Sequence, residues 1–167
     1  MDILTYPDQR LKQVSKVVEE IDQQLLTFIH DLEQTRQAGP GAVGIAAPQV
    51  SVFRQVVIVD VSKMKKPVEN HGHMIMINPE ITKWEGMDMG REGCLSVPDF
   101  TGNVIRAEKI RVKYMDESGK INEIEASGFE ARAIQHEIDH LDGLLFLDRL
   151  VSRRSDLFKR KTYKKQS

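Results

Sequence analysis

The stretch AIQHEIDHLDG, residues 133–143, decides what lies at the centre of the fold. It holds two histidines four residues apart, with a glutamate directly after the first. Since each residue of an α-helix turns by about 100°, His136 and His140 fall within roughly 40° of each other on one face. Glu137 lies roughly 100° to one side, close enough to touch a group bound by both imidazoles. The stretch therefore predicts a helix with a metal-binding face.

The residues around this stretch extend the helix in both directions. Ser127 is a candidate N-cap, with Glu130 three residues on as in a capping box, and Gly143 is placed to end the helix. Apolar residues at helical spacing predict another helix over 20–36. The tail, from Ser152 or Ser155, is predicted as one more helix.

Between these helices the apolar residues change to a strand-like spacing. Short β-branched or alternating segments predict strands at 55–61, 73–81, 108–116 and 121–127. The polar segment 62–73 is predicted as a surface loop, with His71 and His73 solvated. The predicted fold class is α+β, with mixed, mainly antiparallel sheets packed around a central metal-binding helix and a C-terminal helix.

Composition limits the classes of protein to which the chain can belong. It has 167 residues, 40% hydrophobic and 29% charged, which is typical of a globular protein with one core. No run of eighteen apolar residues and no secretory signal is found, so we expect a cytoplasmic protein that spans no membrane. The single cysteine, Cys94, excludes an intramolecular disulfide and suits a reducing compartment.

The charge is unevenly distributed along the chain. Residues 151–167 contain seven basic residues and one acidic residue, a net charge of +6, which leaves −7 for residues 1–150 because the total is −1. We therefore predict a single catalytic domain at 1–150 and a basic tail at 151–167. Such a tail suits a polyanionic partner, although a solvated helix end has the same composition.

Two histidines do not complete a hydrolytic metal site, which normally has three protein ligands and one open position. Proteases with the pattern HExxHxxGxxH take their third ligand downstream, where this chain has Phe146. The candidate third ligand therefore lies upstream, at Cys94 in GREGCLSVP, residues 90–98. Cys94 could instead be a buried hydrophobic residue or a reactive thiol. One cysteine with two histidines suits divalent iron, cobalt, nickel or zinc.

A third segment, GAVGIAAPQV at 41–50, completes an ordered set with EGCLS at 92–96 and QHEIDH at 135–140. Together the three segments resemble the sequence motifs of the peptide deformylase family. The resemblance implies an enzyme that removes the formyl group from the N-terminal formyl-methionine of nascent polypeptides, releasing formate. It also implies an α+β fold and one divalent metal ion, Fe²⁺ in the cell, for which Zn²⁺, Ni²⁺ or Co²⁺ can substitute.

Residue by residue, the resemblance assigns roles to the reactive side chains. It makes Cys94, His136 and His140 the metal ligands and Glu137 the acid/base. The oxyanion donors fall on the side chain of Gln49 and the backbone N–H of Leu95. Glu92 is implied to be structural, with Arg106 as its suggested partner. From its position on the helix alone, Asp139 is a candidate to hold an imidazole N–H, with a surface salt bridge as the alternative.

The substrate-binding residues are predicted from their position beside the reactive ones. An extended peptide could add to a sheet edge near 42–46, and Phe129, Arg132 and Ala133 share the helical face of His136. The predicted substrate-binding set is Val43, Gly44, Glu92, Gly93, Phe129, Arg132 and Ala133. Core packing is the rival expectation for Phe129 and Ala133.

Two positions depart from the family pattern. Ala42 replaces the first glycine of the first segment, and VPDFTGN, at 97–103, lacks an arginine that many members carry after EGCLS. Both departures concern how the peptide is bound. For the tail, the resemblance implies a ribosome partner, with the basic C-terminal helix on rRNA near the tunnel exit, and no DNA or membrane partner.

Two other functions fit parts of the sequence. In a cysteine amidase or protease, Cys94 would attack the substrate and a histidine would activate it, but Glu137 would have no role. In a ribosome- or RNA-binding module with a structural metal, the enzyme activity would be lost, and Ala42 is the only support for that alternative.

Overall fold

The computed structural model describes residues 1–160 and shows two antiparallel sheets on either side of one central helix. The helices are α1 (Gln23–Ala38), α2 (Gly128–Leu141) and the short α3 (Arg153–Asp156). The strands are β1 (Gly44–Ala46), β2 (Val56–Val59), β3 (Met74–Glu85), β4 (Asp88–Cys94), β5 (Val97–Arg106), β6 (Lys109–Met115), β7 (Ile121–Ser127) and β8 (Leu157–Lys159). The predicted α+β class is confirmed.

The larger sheet has the strand order β1-β2-β3-β6-β7 and separates two cores. All four side chains of strand β2 are buried, and successive side chains point to opposite faces of the sheet. Val57 and Val59 pack in the core that includes α2, whereas Val56 and Ile58 pack in the core beneath α1. The sheet is therefore covered on both faces, and α2 lies against one of them.

Helix α1 begins at Gln23, three residues later than its spacing predicts, because a cap fixes its start. The side chain of Asp22 accepts a hydrogen bond of 2.8 Å from the backbone N–H of Leu25. The helix ends at Ala38, just before the glycine and proline turn. Its buried residues are Leu25, Ile29 and Leu32, which form one stripe.

The predicted capping box of α2 is wrong. Ser127 is the N-cap residue, but its side chain makes no capping hydrogen bond. Glu130 instead turns to the loop 62–73, where it accepts from the backbone N–H of His71 at 2.6 Å and lies 2.5 Å from its ring Nδ1. His73 lies 3.0 Å from Glu33 of α1. The two histidines expected to be solvated thus fasten the loop to both helices.

Gly143 follows the end of α2 with a φ of +75°, a conformation that suits glycine. A Cβ atom at this position would also overlap the backbone carbonyl of Lys12. The predicted role of Gly143 at the helix end is thus explained by both its conformation and the close approach of another segment.

The smaller sheet has the order β4-β5-β8, and the sequence did not predict its β4-β5 hairpin. The buried residues Cys94, Val97 and Val104 pack with apolar residues at 145–147 that follow α2. All strand pairs of the described chain are antiparallel, and one isolated parallel bridge joins Lys16 to Arg54.

The C-terminal segment is only partly the helix that was predicted. Helix α3 covers the four residues Arg153–Asp156, and the chain then forms β8, which pairs with β5. Leu157 packs against the core of the smaller sheet, so an extended backbone there buries an apolar side chain. The predicted domain boundary at residue 150 stays a prediction, and residues 161–167 lie outside the described residues.

No helix in the described range 1–160 is long and apolar enough to span a membrane.

Candidate metal centre

Three residues from two separate elements come together where α2 faces the smaller sheet. Cys94 ends β4, and His136 and His140 lie one helical turn apart on α2. The Sγ atom of Cys94 is 3.4 Å from Nε2 of His140. The nearest ligand atoms of the three side chains all lie within 4.8 Å of one another, and all three residues are buried. This is the group that the sequence suggested, assembled across a long stretch of chain.

Glu92 fixes the ring of His136 in one tautomer. Its Oε1 atom lies 2.8 Å from Nδ1 of His136. An ionised carboxylate can only accept hydrogen bonds, so Nδ1 carries a proton, and in the neutral ring the lone pair is therefore on Nε2. Burial opposes the ionisation of Glu92, but hydrogen bonds from Arg106 and His136 outweigh burial and hold its pKa well below the usual range.

Glu92 is also the centre of a buried ionic network. Arg106 donates to both of its oxygens at 2.9 Å, as the sequence analysis suggested. Arg132 donates to Oε2 at 2.7 Å and to the carbonyl of Val104 at 2.8 Å. Glu92 and Arg132 line a cleft beside this centre, but their charged atoms are occupied by one another and by the protein, so their predicted role in substrate binding stays a prediction. Their contribution is to hold His136 and the hairpin in place.

Asp139 does not hold an imidazole, so that expectation is wrong. Its Oδ2 atom accepts from Arg106 at 2.6 Å, and Arg149 donates to Oδ1 at 2.8 Å. Arg106 reaches Asp139 from β5 and Arg149 reaches it from the turn after α2, so both carboxylate oxygens are occupied by guanidinium groups. Asp139 therefore ties α2 to the elements that surround it.

Glu137 is buried beside the three candidate ligands. Burial raises its pKa to about 7, against a smaller opposing effect of His136. Its Oε1 atom lies 3.9 Å from Nε2 of His140 and has no hydrogen-bond partner among residues 1–160. Gly44 of β1 permits this position, because a Cβ atom there would lie 2.6 Å from Oε2 of Glu137. A carboxyl group with a pKa near neutrality can both take up and release a proton.

Gln49 presents its amide nitrogen to the same site. Its Oε1 atom accepts from the backbone N–H of Ala46 at 2.9 Å, which fixes the orientation of the amide. Nε2 donates to Oγ of Ser96 at 3.0 Å and lies 3.5 Å from Sγ of Cys94. The sequence did not single out Ser96, whose hydroxyl is completely buried next to the predicted donor.

Leu95 follows Cys94 in the turn between β4 and β5 and has a backbone N–H that is free to donate. It donates no hydrogen bond to any other residue of the described chain. The side chain of Leu95 borders the cleft next to Cys94. Leu95 and Gln49 therefore offer N–H groups at the same place as the candidate ligands.

A cleft of about 790 Å³ opens onto this centre. Its lining includes every member of the predicted substrate-binding set: Val43, Gly44, Glu92, Gly93, Phe129, Arg132 and Ala133. Phe129 and Ala133 also pack with the core of the larger sheet, as the rival expectation had it, and their substrate-binding role stays a prediction. Met64 and Lys65, from the loop 62–73, border the cleft as well.

Ala42 does not strain the backbone. The only non-glycine residues with positive φ among the described residues are Ser51 and Asn78. Ala42 borders the cleft with an ordinary backbone conformation, so the first motif tolerates a Cβ atom at this position.

The donor set fits a divalent metal ion. The three side chains supply one sulfur and two imidazole nitrogens, and the tautomer of His136 leaves its Nε2 free to bind. Burial lowers the pKa of His140 well below its ordinary value, which favours the neutral, ligating form of its ring. With the unpaired carboxylate oxygen of Glu137 alongside, the fold and the site define a metal-dependent hydrolase.

Comparison with known proteins names the family within that class. The sequence model of the polypeptide deformylase family matches residues 1–156. The peptide deformylase of Thermodesulfovibrio yellowstonii is 42% identical over 161 residues, which cover 96% of this chain and 95% of that protein. The peptide deformylase of Syntrophobacter fumaroxidans is 43% identical over 165 residues, which cover 99% of this chain and 95% of that protein.

Solved structures agree with the sequence relatives. A peptide deformylase of Synechococcus elongatus in complex with actinonin has a TM-score of 0.83 at 37% identity, covering 92% of this chain and 80% of that one. A class I type b peptide deformylase of Acinetobacter baumannii with Met-Ala-Ser bound has a TM-score of 0.83 at 36% identity. The match covers 90% of this chain and 98% of that one. The chain belongs to the polypeptide deformylase family, and it is an enzyme that removes the N-formyl group from nascent polypeptides.

Proposed function

We propose that Cys94, His136 and His140 hold one divalent ion, Fe²⁺ in the cell, and that Zn²⁺, Ni²⁺ or Co²⁺ can replace it. The mutual approach of their ligand atoms within 4.8 Å carries this proposal. When bound, such an ion acts as a Lewis acid that polarises a carbonyl oxygen and acidifies a coordinated water. A thiolate and two neutral imidazoles suit all four metals.

Glu137 is the general acid and base of the proposed reaction. Hydrolysis adds water to the formyl carbon, breaks its bond to nitrogen and releases formate and an amine. The carboxylate of Glu137 takes a proton from the attacking water and passes it to the leaving nitrogen. The pKa of about 7 suits both halves of this transfer near neutral pH.

Gln49 and Leu95 stabilise the negative charge that develops on the formyl oxygen. The Gln49 amide is held in one orientation by Ala46, and the N–H of Leu95 has no other acceptor in the described chain. Donors that are already oriented need no reorganisation during the reaction, and each contributes about 3 kcal/mol in comparable oxyanion holes.

The peptide binds with its methionine side chain in the cleft, beside Val43, Phe129 and Ala133. Strand β1 is the edge of the larger sheet, and Gly44 borders the cleft. An extended peptide can therefore add to this edge as a further strand, with its formyl end directed at Glu137.

Two substitutions separate metal binding from proton transfer. Glu137→Gln keeps the shape of the side chain but cannot carry the proton, so we expect normal metal content and a loss in kcat of about 100-fold or more. Cys94→Ala removes a ligand, so we expect both the metal and the activity to be lost. Hydrolysis of formyl-Met-Ala-Ser and metal content are measured on the same samples. Full activity of Glu137→Gln would exclude the acid/base role.

A nucleophilic Cys94 is the second candidate, favoured by its 3.4 Å distance from Nε2 of His140. Alkylation of Cys94 that a bound ion prevents would support the ligand role. A trapped acyl-cysteine would support the nucleophile.

The basic tail is proposed to bind the ribosome, on rRNA near the tunnel exit, in the cytoplasm. Its net charge of +6 beside a body of −7 supports this partner. Since β8 belongs to the smaller sheet, the test deletes 161–167 and leaves β8 in place. We expect weaker, salt-sensitive ribosome binding in a sedimentation assay and unchanged hydrolysis of formyl-Met-Ala-Ser. Unaltered binding would contradict the proposal.

A further inference from the structure

Arg160 lies at the rim of the cleft because β8 brings it there. Strand β8 pairs antiparallel with β5, with Lys159 opposite Phe100. The pairing continues one residue further, where the backbone N–H of Arg160 donates to the carbonyl of Asp99 at 2.8 Å. This places a residue from the C-terminal end of the described chain in the lining of the substrate cleft.

The guanidinium of Arg160 extends over Gly93, the residue before Cys94. A Cβ atom at Gly93 would lie 2.5 Å from Nη2 of Arg160 and 3.5 Å from Cγ2 of Thr101. Arg160 and Gly93 thus face the same side of the smaller sheet, which is the side that borders the cleft. The positive charge of Arg160 therefore lies over the residue that directly precedes Cys94, a candidate metal ligand.

Arg160 differs from the other arginines of the cleft because its side chain has no partner within residues 1–160. Arg132 is bound to Glu92 and to backbone carbonyls. Arg91 donates to Asn103 at 3.1 Å, and its Cζ atom lies 3.7 Å above the ring of Phe158. The side chain of Arg160 makes no hydrogen bond or ion pair with any residue in 1–160, and strand β5 itself has only the buried Arg106 as a cation.

We propose that Arg160 is a substrate-positioning residue that binds oxygen atoms of the peptide beyond the formyl-methionine. The inference rests on the proposed function, because it requires a peptide in the cleft. A guanidinium offers five N–H donors in a plane, which suits both backbone carbonyls and a terminal carboxylate. A peptide that enters along β1 with its formyl end at Glu137 leaves its later residues near the rim, where Arg160 lies.

The test compares Arg160→Ala and Arg160→Lys with Lys159→Ala, an exposed neighbour that does not line the cleft. Substrates are formyl-Met-Ala-Ser, its C-terminal amide, and formyl-methionine amide, which has no later residues. For Arg160→Ala we expect KM for the tripeptide to rise about 5- to 10-fold with kcat unchanged. We expect partial recovery in Arg160→Lys and no change for formyl-methionine amide or in Lys159→Ala.

The amide of the tripeptide distinguishes the two kinds of oxygen. If the rise in KM is the same with the amide, Arg160 binds backbone carbonyls, and if it disappears, Arg160 binds the terminal carboxylate. An unchanged KM for both tripeptides would overturn the proposal. An equal rise in KM for formyl-methionine amide would overturn it as well, because that substrate has no residues beyond the methionine. Calorimetry measures the binding of Met-Ala-Ser to the wild-type and Arg160→Ala proteins and requires no hydrolysis. Failure of the proposed catalytic mechanism can therefore be distinguished from failure of the proposed role of Arg160.

Discussion

At the scale of single residues, Gly44 controls where the proposed acid/base can lie. Its missing Cβ atom leaves the space into which the carboxylate of Glu137 fits. Gly44 has no positive φ, so only the close contact requires a glycine here. A methyl group at this position would move the carboxylate without removing a metal ligand.

We therefore expect Gly44→Ala to lower kcat by about 10- to 100-fold, because a displacement of about 1 Å is costly in a positioned active site. Metal content and the melting temperature should stay close to those of the wild-type protein. Steady-state kinetics with formyl-Met-Ala-Ser, together with metal analysis, check this outcome. Wild-type kcat would show that Glu137 has room to adjust.

The reactive residues could be recognised from sequence because their chemistry is tied to residue type and spacing. His136, Glu137 and His140 follow from one helical turn, and Cys94 is the only cysteine in the sequence, hence the only thiolate that could join them. The partners of Asp139 and Arg132 could not be predicted. A charged side chain pairs with whichever group the tertiary fold brings close, and here these groups came from β4, β5 and the turn after α2.

At the scale of elements, the end of α2 depends on a glycine that two constraints require. Gly143 has a left-handed backbone, and a Cβ atom there would overlap the carbonyl of Lys12. We expect Gly143→Ala to lower the free energy of unfolding by about 2 kcal/mol or more. Denaturant unfolding measures this loss, with Gly72→Ala as a control, since Gly72 has a φ of +74° but open space around it. Equal losses would show that only the backbone conformation matters.

The β4-β5 hairpin escaped prediction because charged residues interrupt the apolar residues of its inner face. The residues that face α2 include Glu92, Cys94 and Arg106, which are buried although two of them are charged. Strands are recognised in a sequence by alternating apolar residues, and here an ionic network replaces them. Strands β2, β3, β6 and β7 of the larger sheet were predicted to within a few residues, whereas the three-residue strand β1 was not predicted.

At the scale of the whole molecule, the proposed ion joins the two sheets. Cys94 belongs to the smaller sheet, whereas His136 and His140 belong to the helix that covers the larger one. An ion that binds only the folded state at 100 times its Kd stabilises that state by about 2.7 kcal/mol. Removing it with a chelator should lower the melting temperature by about 5 to 10 °C.

Calorimetry with and without chelator measures this shift, and added Co²⁺ or Ni²⁺ should restore both stability and activity. The Cys94→Ala protein is the matched control, since a chelator should not change its melting temperature. A chelator that abolishes activity without altering stability would mean that the ion does not join the sheets.

The separation of the candidate ligands along the chain also sets the order of assembly. Cys94 and the helical histidines meet only after the smaller sheet has docked on α2, so an unfolded chain offers no complete set of donors. For the proposed ligands we therefore expect metal uptake to be a late event in biogenesis, so that a newly made molecule becomes active only after the smaller sheet has packed on α2. The rate of incorporation would thus report on maturation of the polypeptide itself.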